Sequence, residues 1–294
     1  MRILLLALLL GPLLLPVAAP ASVFDVYGFS PRGRAMGNAQ AAVADDHTAT
    51  FYNPAGLTRR KHLVVGAGLM LTEPRLRIDR DFQAPEQRRV PDKTPDGFTG
   101  IQLGAVFPLG GLIDNRVALG VSMYLPMLTL LRADAIDAQV PQYHRYQTLP
   151  DKFVVLASVA FEPFDWLSVG AGVQVLATLD GGVDIDLEFA NRRVSQRTVA
   201  VDIAPTAAPV AGLLITPLKG LRIGLSYREA LQLDYALPSR LNIDDLITLA
   251  IDIRGTVLYT PRFFNLGVAY QVEPANLLAS AEITWAQWSQ APDP

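Results

Sequence analysis

The chain has 294 residues, half of them hydrophobic, with 18% charged side chains and a formal net charge of -3. That balance gives no bulk basic field for nucleic acid, and the absence of cysteine excludes both a disulfide framework and a lipidated N-terminal cysteine. Three histidines, His47, His62 and His144, stand far apart with no ligand spacing, so no metal site is expected.

Residues 1–21 read as a secretory leader. Arg2 supplies the positive charge, Ile3 to Leu10 and Leu13 to Leu15 the apolar core, and Ala19-Pro20-Ala21 the small residues before an expected mature start at Ser22. Gly11, Pro12 and Pro16 interrupt the apolar run, which argues against a retained membrane anchor. Next comes a weakly helical stretch, "GRAMGNAQAAVA" from Gly33, and then "ADDHTATFYNPAGL" from Ala44, which suits neither helix nor strand. Pro54 holds Asn53 to extended backbone and denies a ladder donor. Asp45 and Asp46 have two readings: caps or solvated turn residues after the helical stretch, or ion-pair partners of inward arginines such as Arg222 or Arg228.

From Lys61 the period is two. In "NRVALGVSMYL" Val117, Leu119, Val121 and Met123 oppose Arg116, Ala118, Gly120, Ser122 and Tyr124. In "LSVGAGVQV" Val169, Ala171, Val173 and Val175 oppose Ser168, Gly170, Gly172 and Gln174. The same alternation runs through "LRIGLSYREAL" from Leu221, "FNLGVAYQVEP" from Phe264 and "LLASAEITWAQWS" from Leu277. These are strands with one apolar face and one face of glycine, polar and charged residues. Short turns are expected at Pro108–Gly111, Glu162–Asp165, Pro217–Gly220 and Glu273–Asn276. Long charged connections are expected at Arg77–Gly97 and Arg132–Lys152. The count between Lys61 and Ser289 is about ten or eleven strands by this periodicity.

A soluble sandwich and a transmembrane barrel both produce such alternation. Strands of about ten residues, the alternation of short and long connections, and aromatic residues near strand ends favour the barrel. Tyr124, Trp166, Tyr259, Trp285 and Trp288 are the expected interfacial girdle residues. The expected class is therefore all-β, a transmembrane antiparallel β-barrel in the bacterial outer membrane. No closing strand follows Trp288, so the wall is expected to be incomplete at its C-terminal side, because an open edge in lipid leaves backbone groups unsatisfied.

The ordered set Gly33-Arg34-Ala35-Met36-Gly37, Ala44-Asp45-Asp46 and Asn53-Pro54-Ala55-Gly56-Leu57 resembles the N-terminal signature of the FadL/TodX outer-membrane transport proteins. "YREAL" at Tyr227 and the terminal "WAQWS" resemble later parts of the same family, so the likeness spans roughly residues 25 to 290. It implies a wall of fourteen strands, counted as a family expectation, filled by an N-terminal plug, the hatch. It also implies uncoupled passage of long-chain fatty acids, or alternatively aromatic hydrocarbons, with sideways exit into the bilayer through a kinked wall strand. On that likeness residues 22–60 are the hatch, with Asp45, Asp46, Asn53, Pro54, Ala55 and Gly56 as its marked positions, and residues 61–294 are the wall.

Apolar residues beside charge, Tyr124, Leu125, Met127 and Leu128, are candidate cargo contacts. Arg132, His144 and Arg145 are candidate donors to a carboxylate head. Expected partners are outer-membrane lipid and lipopolysaccharide, apolar cargo and the barrel-assembly machinery, with the chain as a monomer and no cofactor. A structural or adhesive barrel without cargo, a secreted binding sandwich and a barrel hydrolase are the competing classes. The last finds no GxSxG elbow, HExxH pair or glycine-rich phosphate loop.

Overall fold

The computed structural model describes residues 28–73, 98–110, 115–127, 153–188, 193–243 and 247–290. The expected leader, the two long charged connections, and Leu128, Arg132, His144 and Arg145 lie outside the described residues. Eleven strands make one sheet. They are β1 (Val64–Thr72), β2 (Phe98–Leu109), β3 (Val117–Pro126), β4 (Val154–Phe164), β5 (Leu167–Glu188), β6 (Arg193–Leu218), β7 (Leu221–Arg228), β8 (Leu231–Ile243), β9 (Ile247–Thr260), β10 (Arg262–Val272) and β11 (Leu277–Gln287). β1 to β7 pair antiparallel in chain order, and β7 then pairs with β10, and β10 with β11. β1 and β11, the first and last strands in chain order, each pair on one side only, as does β9.

Side-chain burial separates a wall from a sandwich. On β3 the inward set Ala118, Gly120, Ser122 and Tyr124 is buried, while Leu119 and Val121 are exposed. On β7 the buried set is Arg222, Gly224, Ser226 and Arg228. Leu71, Leu103, Phe107, Val159, Phe161, Leu225, Phe264, Leu266, Val268 and Ile283 stand exposed on the other face. The face carrying large apolar side chains is thus the outer one, and the glycine-rich, polar face points inward. A soluble sandwich packs the opposite way; a lipid-facing wall needs this one.

The short connections gather at one end. β4 and β5 join at Asp165–Trp166, and β6 and β7 at Lys219–Gly220, where Gly220 has φ +86°. β10 and β11 join through a 3₁₀ turn, Glu273–Ala275, and a left-handed Asn276. The turn expected at Glu162–Asp165 is shorter than the sequence suggests. Glu162 to Phe164 continue β4, and a register shift between Phe161 and Phe164 absorbs Pro163.

Aromatic residues occupy two levels. Phe164 and Trp166 stack at the short-turn end, their centroids 5.6 Å apart. At the other end Tyr227, Phe264 and Trp285 form a row across β7, β10 and β11, with spacings of 5.0 and 5.3 Å. Tyr124 belongs to neither. The expectation of a girdle role for it is corrected: it sits on the inward set of β3, fully buried, with its ring over Gly100.

Above that row the wall changes course. The β6–β7 ladder ends at Val210 and Arg228, and Glu229 N makes one further bond, to Pro209 O at 3.0 Å. Alternate residues of a strand turn their backbone groups to the same edge. Pro205 and Pro209 therefore both withhold donors from the β6 edge facing β8. β8 pairs instead with β9 and, in parallel, with Val183–Leu187 of β5.

The N-terminal segment lies on the inward face. α1 (Pro31–Ala35) starts at Ser30, whose hydroxyl accepts from Gly33 N at 2.9 Å. It stops after five residues because Gly37 and Asn38 take left-handed φ values of +57° and +66°. The longer helical stretch expected to Ala44 does not form. α2 (Ala49–Tyr52) and a 3₁₀ turn, Pro54–Arg59, complete the segment.

Candidate functional site

One short segment touches both the first and the last strand of the sheet. His47 seats against Gly66 of β1, while Ala41 N donates to Glu282 of β11 at 2.7 Å and Ser280 Oγ to Ala39 O at 3.1 Å. A sheet whose first and last strands both reach the same segment is curled around it.

The contact is built on cross-strand glycine pairs. Gly66 and Gly104 are direct partners in the β1–β2 ladder, and a Cβ on either would stand 2.1 to 2.4 Å from the His47 ring. Gly170 and Gly212 are partners between β5 and β6; Gly170 faces Pro54 and Ala55, and Gly212 faces Asn53 and Pro54. Gly224 and Gly267 are partners between β7 and β10, and both face Ala41 and Ala42. Gly120, alone, receives Leu57 and Thr50. These glycines are notches occupied by named residues of the N-terminal segment.

Asn53 is the node of that segment. Its φ of -161° and ψ of 102° are the extended values that a following proline imposes. Its carboxamide oxygen accepts from Ala55 N at 3.1 Å. Its nitrogen donates to Ala41 O at 2.6 Å and, across to β6, to Leu213 O at 3.1 Å. Pro54, Ala55 and Gly56 are buried beneath it, and a Cβ on Gly56 would lie 2.0 Å from Ala44 O.

The two acids divide the roles the sequence left open. Asp46 caps locally, accepting from Thr48 N at 2.8 Å and from Thr48 Oγ1 at 2.5 Å. Asp45 is an ion-pair partner, but of Arg32 at 2.6 Å and Arg60 at 3.0 Å. Neither acid forms an ion pair with Arg222 or Arg228 among the described residues. Between the two acids and the wall sits His47, whose carbonyl accepts from Ser122 Oγ at 2.6 Å. Its ring is buried and Nδ1 has no hydrogen-bond partner. That burial pushes the imidazole below its ordinary value, with Asp46 opposing.

Where the segment meets the wall is an apolar cluster. Phe29 and Phe51 stack at 5.0 Å, and Tyr52, Met70, Tyr124, Leu156, Leu176 and Leu231 pack with them. The Arg228 guanidinium lies between two rings, 4.3 Å from the centroid of Phe51 and 4.7 Å from that of Phe263. Of the candidate cargo contacts Tyr124 belongs to this cluster. Leu125 is half-buried, and Met127 is 55% exposed beyond the end of β3. Sequence reasoning missed Phe29, Phe51 and the glycine pairs. Their signal was present only as glycine recurring on one face of successive strands, with nothing to say what faced it.

No curated protein matches the chain in sequence. Among solved structures, the P. putida toluene transporter TodX aligns with a TM-score of 0.50 at 15% identity, covering 92% of this chain and 72% of that one. A TodX deltaS2S3 mutant, described as a monoaromatic hydrocarbon channel, aligns at 0.51 and 17% identity with the same coverage. The family described as outer membrane protein transport protein (OMPP1/FadL/TodX) matches residues 13–292. With the outward apolar face and the segment held in the curl of the wall, this chain belongs to that outer-membrane transport family.

Proposed function

We propose that this chain conducts small apolar molecules passively across the outer membrane, with monoaromatic hydrocarbons as the favoured cargo over long-chain fatty acids. The observation that carries the reading is the buried aromatic and aliphatic cluster where the N-terminal segment meets the wall, Phe29, Phe51, Tyr52, Tyr124 and Leu156. A flat aromatic solute gains by stacking and by roughly 25 cal/mol per Å² of apolar burial, and needs no charged partner. The solved structures named for toluene and monoaromatic hydrocarbons support the same choice.

In this reading the segment from residue 28 to 60 is the plug of a barrel, and the wall is the strand series from β1 onward. A full wall would carry the fourteen strands that the family resemblance implies, an even number as single-chain barrels require. Cargo would leave sideways where β6 and β8 lack a ladder, above Pro209, rather than through the plug. The test is uptake of labelled toluene and labelled oleate by cells lacking their own transporter of this class. Faster toluene entry with this chain in the membrane is expected. Oleate entry alone would restore the fatty-acid reading, and entry of neither would leave a barrel without these cargoes.

A further inference from the structure

At the short-turn end of the wall, most cations have a carboxylate of their own. Lys61 pairs with Glu162, Arg116 with Asp165 at 2.7 Å and Lys219 with Glu273 at 3.1 Å. The exception lies at the inner foot of β7. There Arg32 and Arg60 bond the carboxylate of Asp45, and Arg222 lies within electrostatic reach of Asp45, Arg59 and Arg32.

Both oxygens of Asp45 are already committed. Oδ1 takes Arg32 Nη1 and Oδ2 takes Arg60 Nη2. Arg222 is only 8% exposed, and it makes no hydrogen bond or ion pair among the described residues. Its charged neighbours are Arg59, Asp45 and Arg32, so two of the three repel it. A guanidinium carries five donors in a planar fork, and those of Arg222 are left without a protein acceptor among the described residues. Arg59 and Arg60 are exposed, so the group is reached from the short-turn side. Glu282, the inward acid two strands away, is occupied by the backbone of Ala41.

We propose that Arg222, with Arg32, Arg59 and Arg60 at the rim, forms a binding site for one oxyanion of phosphate type at the short-turn mouth. A tetrahedral oxyanion supplies several acceptors to a planar fork and neutralises the local excess of positive charge. Two sources share this chemistry: free orthophosphate and the head group of an anionic phospholipid. The site is independent of which compound the wall passes.

The experiment uses the whole chain, purified in zwitterionic detergent, with orthophosphate titrated by calorimetry at neutral pH. Saturable binding is expected. Arg222→Gln should weaken it by about tenfold or more, the loss of a charge-assisted hydrogen bond. Arg222→Lys should keep part of it. Arg34→Gln, which removes a guanidinium bonded to Leu69 O outside the cluster, should change nothing.

Lipid bilayer discs separate the sources. If phosphatidylglycerol discs abolish phosphate binding while phosphatidylcholine discs preserve it, the head group is the occupant. Equal binding in both discs identifies the free ion. Thermal melts report folding for each variant. Should Arg222→Gln not fold, Arg59→Gln on the exposed rim decides, with a several-fold weakening expected. The proposal is overturned if the wild-type chain shows no saturable phosphate binding in detergent or in either disc. It is equally overturned if a folded Arg222→Gln, or Arg59→Gln where that decides, binds as the wild type does.

Discussion

A Cβ placed on Gly212 would stand 2.0 Å from Oδ1 of Asn53, although the two residues are separated by most of the wall in sequence. The carboxamide sits where a side chain would be, and its nitrogen bonds the carbonyl of the next wall residue, Leu213. Gly212→Ala should therefore push Asn53 out and loosen the N-terminal segment while the strands persist. Overpacking of this kind costs about 1–3 kcal/mol. Gly68→Ala is the control, because its new Cβ would meet Gln102 Oε1 at 3.1 Å and Pro31 Cδ at 3.3 Å, and the Gln102 side-chain end can give. Limited proteolysis of the segment in intact membranes should separate the two, with faster cleavage in Gly212→Ala only. Equal rates would mean the notch does not position Asn53.

Asn53 itself should respond to charge more than to size. Asn53→Ala leaves Ala41 O and Leu213 O without their donor, at about 1–3 kcal/mol for each unsatisfied group. Asn53→Asp keeps the shape but puts carboxylate oxygens against those same two carbonyls. The expected order of segment stability is wild type, then alanine, then aspartate at neutral pH. Leak of a small polar antibiotic through the outer membrane is the readout, and an aspartate variant as tight as wild type would contradict the donor role.

His47 gives the segment a pH dependence of definite sign. Its folded value is depressed below 6.5 by burial, with Asp46 acting in the opposite sense. The proton therefore binds the undocked state more tightly. The contribution of this group is fully present above about pH 6.5 and is lost as pH falls below it. Between pH 7 and 5, the segment of the wild-type chain should become more accessible to protease. His47→Gln, which carries no titrating group, should show a flatter profile over that window. A wild-type profile as flat as that of the variant would remove His47 as the cause.

Much of the wall was legible because its signal is local. The inward and outward sets on β3, β5, β7, β10 and β11 follow directly from alternation in "NRVALGVSMYL", "LSVGAGVQV", "LRIGLSYREAL" and the last two strands. The Asn53-Pro54 backbone was legible for the same reason, since proline acts on its immediate neighbour. What faces a glycine was not legible. Gly104 and His47 meet across 57 positions, and only the curl of the sheet brings them together. The partners of Asp45 were missed for a related reason: Arg32 and Arg60 flank it within its own segment, while the alternation drew attention to the wall arginines. Tyr124 shows the limit of position near a strand end as a sign of lipid contact. The side on which alternation places the residue decides, and Tyr124 is on the inside.

The break above Pro209 offers a direct test of the exit route. The β6–β7 register pairs Val210 with Arg228, and extending it by two residues sets Ala208 opposite Ala230. Both prolines that face this edge lack donors, so neither can contribute a ladder bond that would close the gap. The chain has no cysteine, so a pair introduced here can react only with itself. Ala208→Cys with Ala230→Cys should close the gap when oxidised and release it when reduced. A disulfide needs Cα atoms about 4.4–6.8 Å apart, which the neighbouring Glu229–Pro209 bond brings within reach. Toluene uptake should fall in the oxidised double variant and recover with reductant, while either single variant behaves as the parent. Uptake that stays unchanged in a fully crosslinked protein would place the exit elsewhere along the wall.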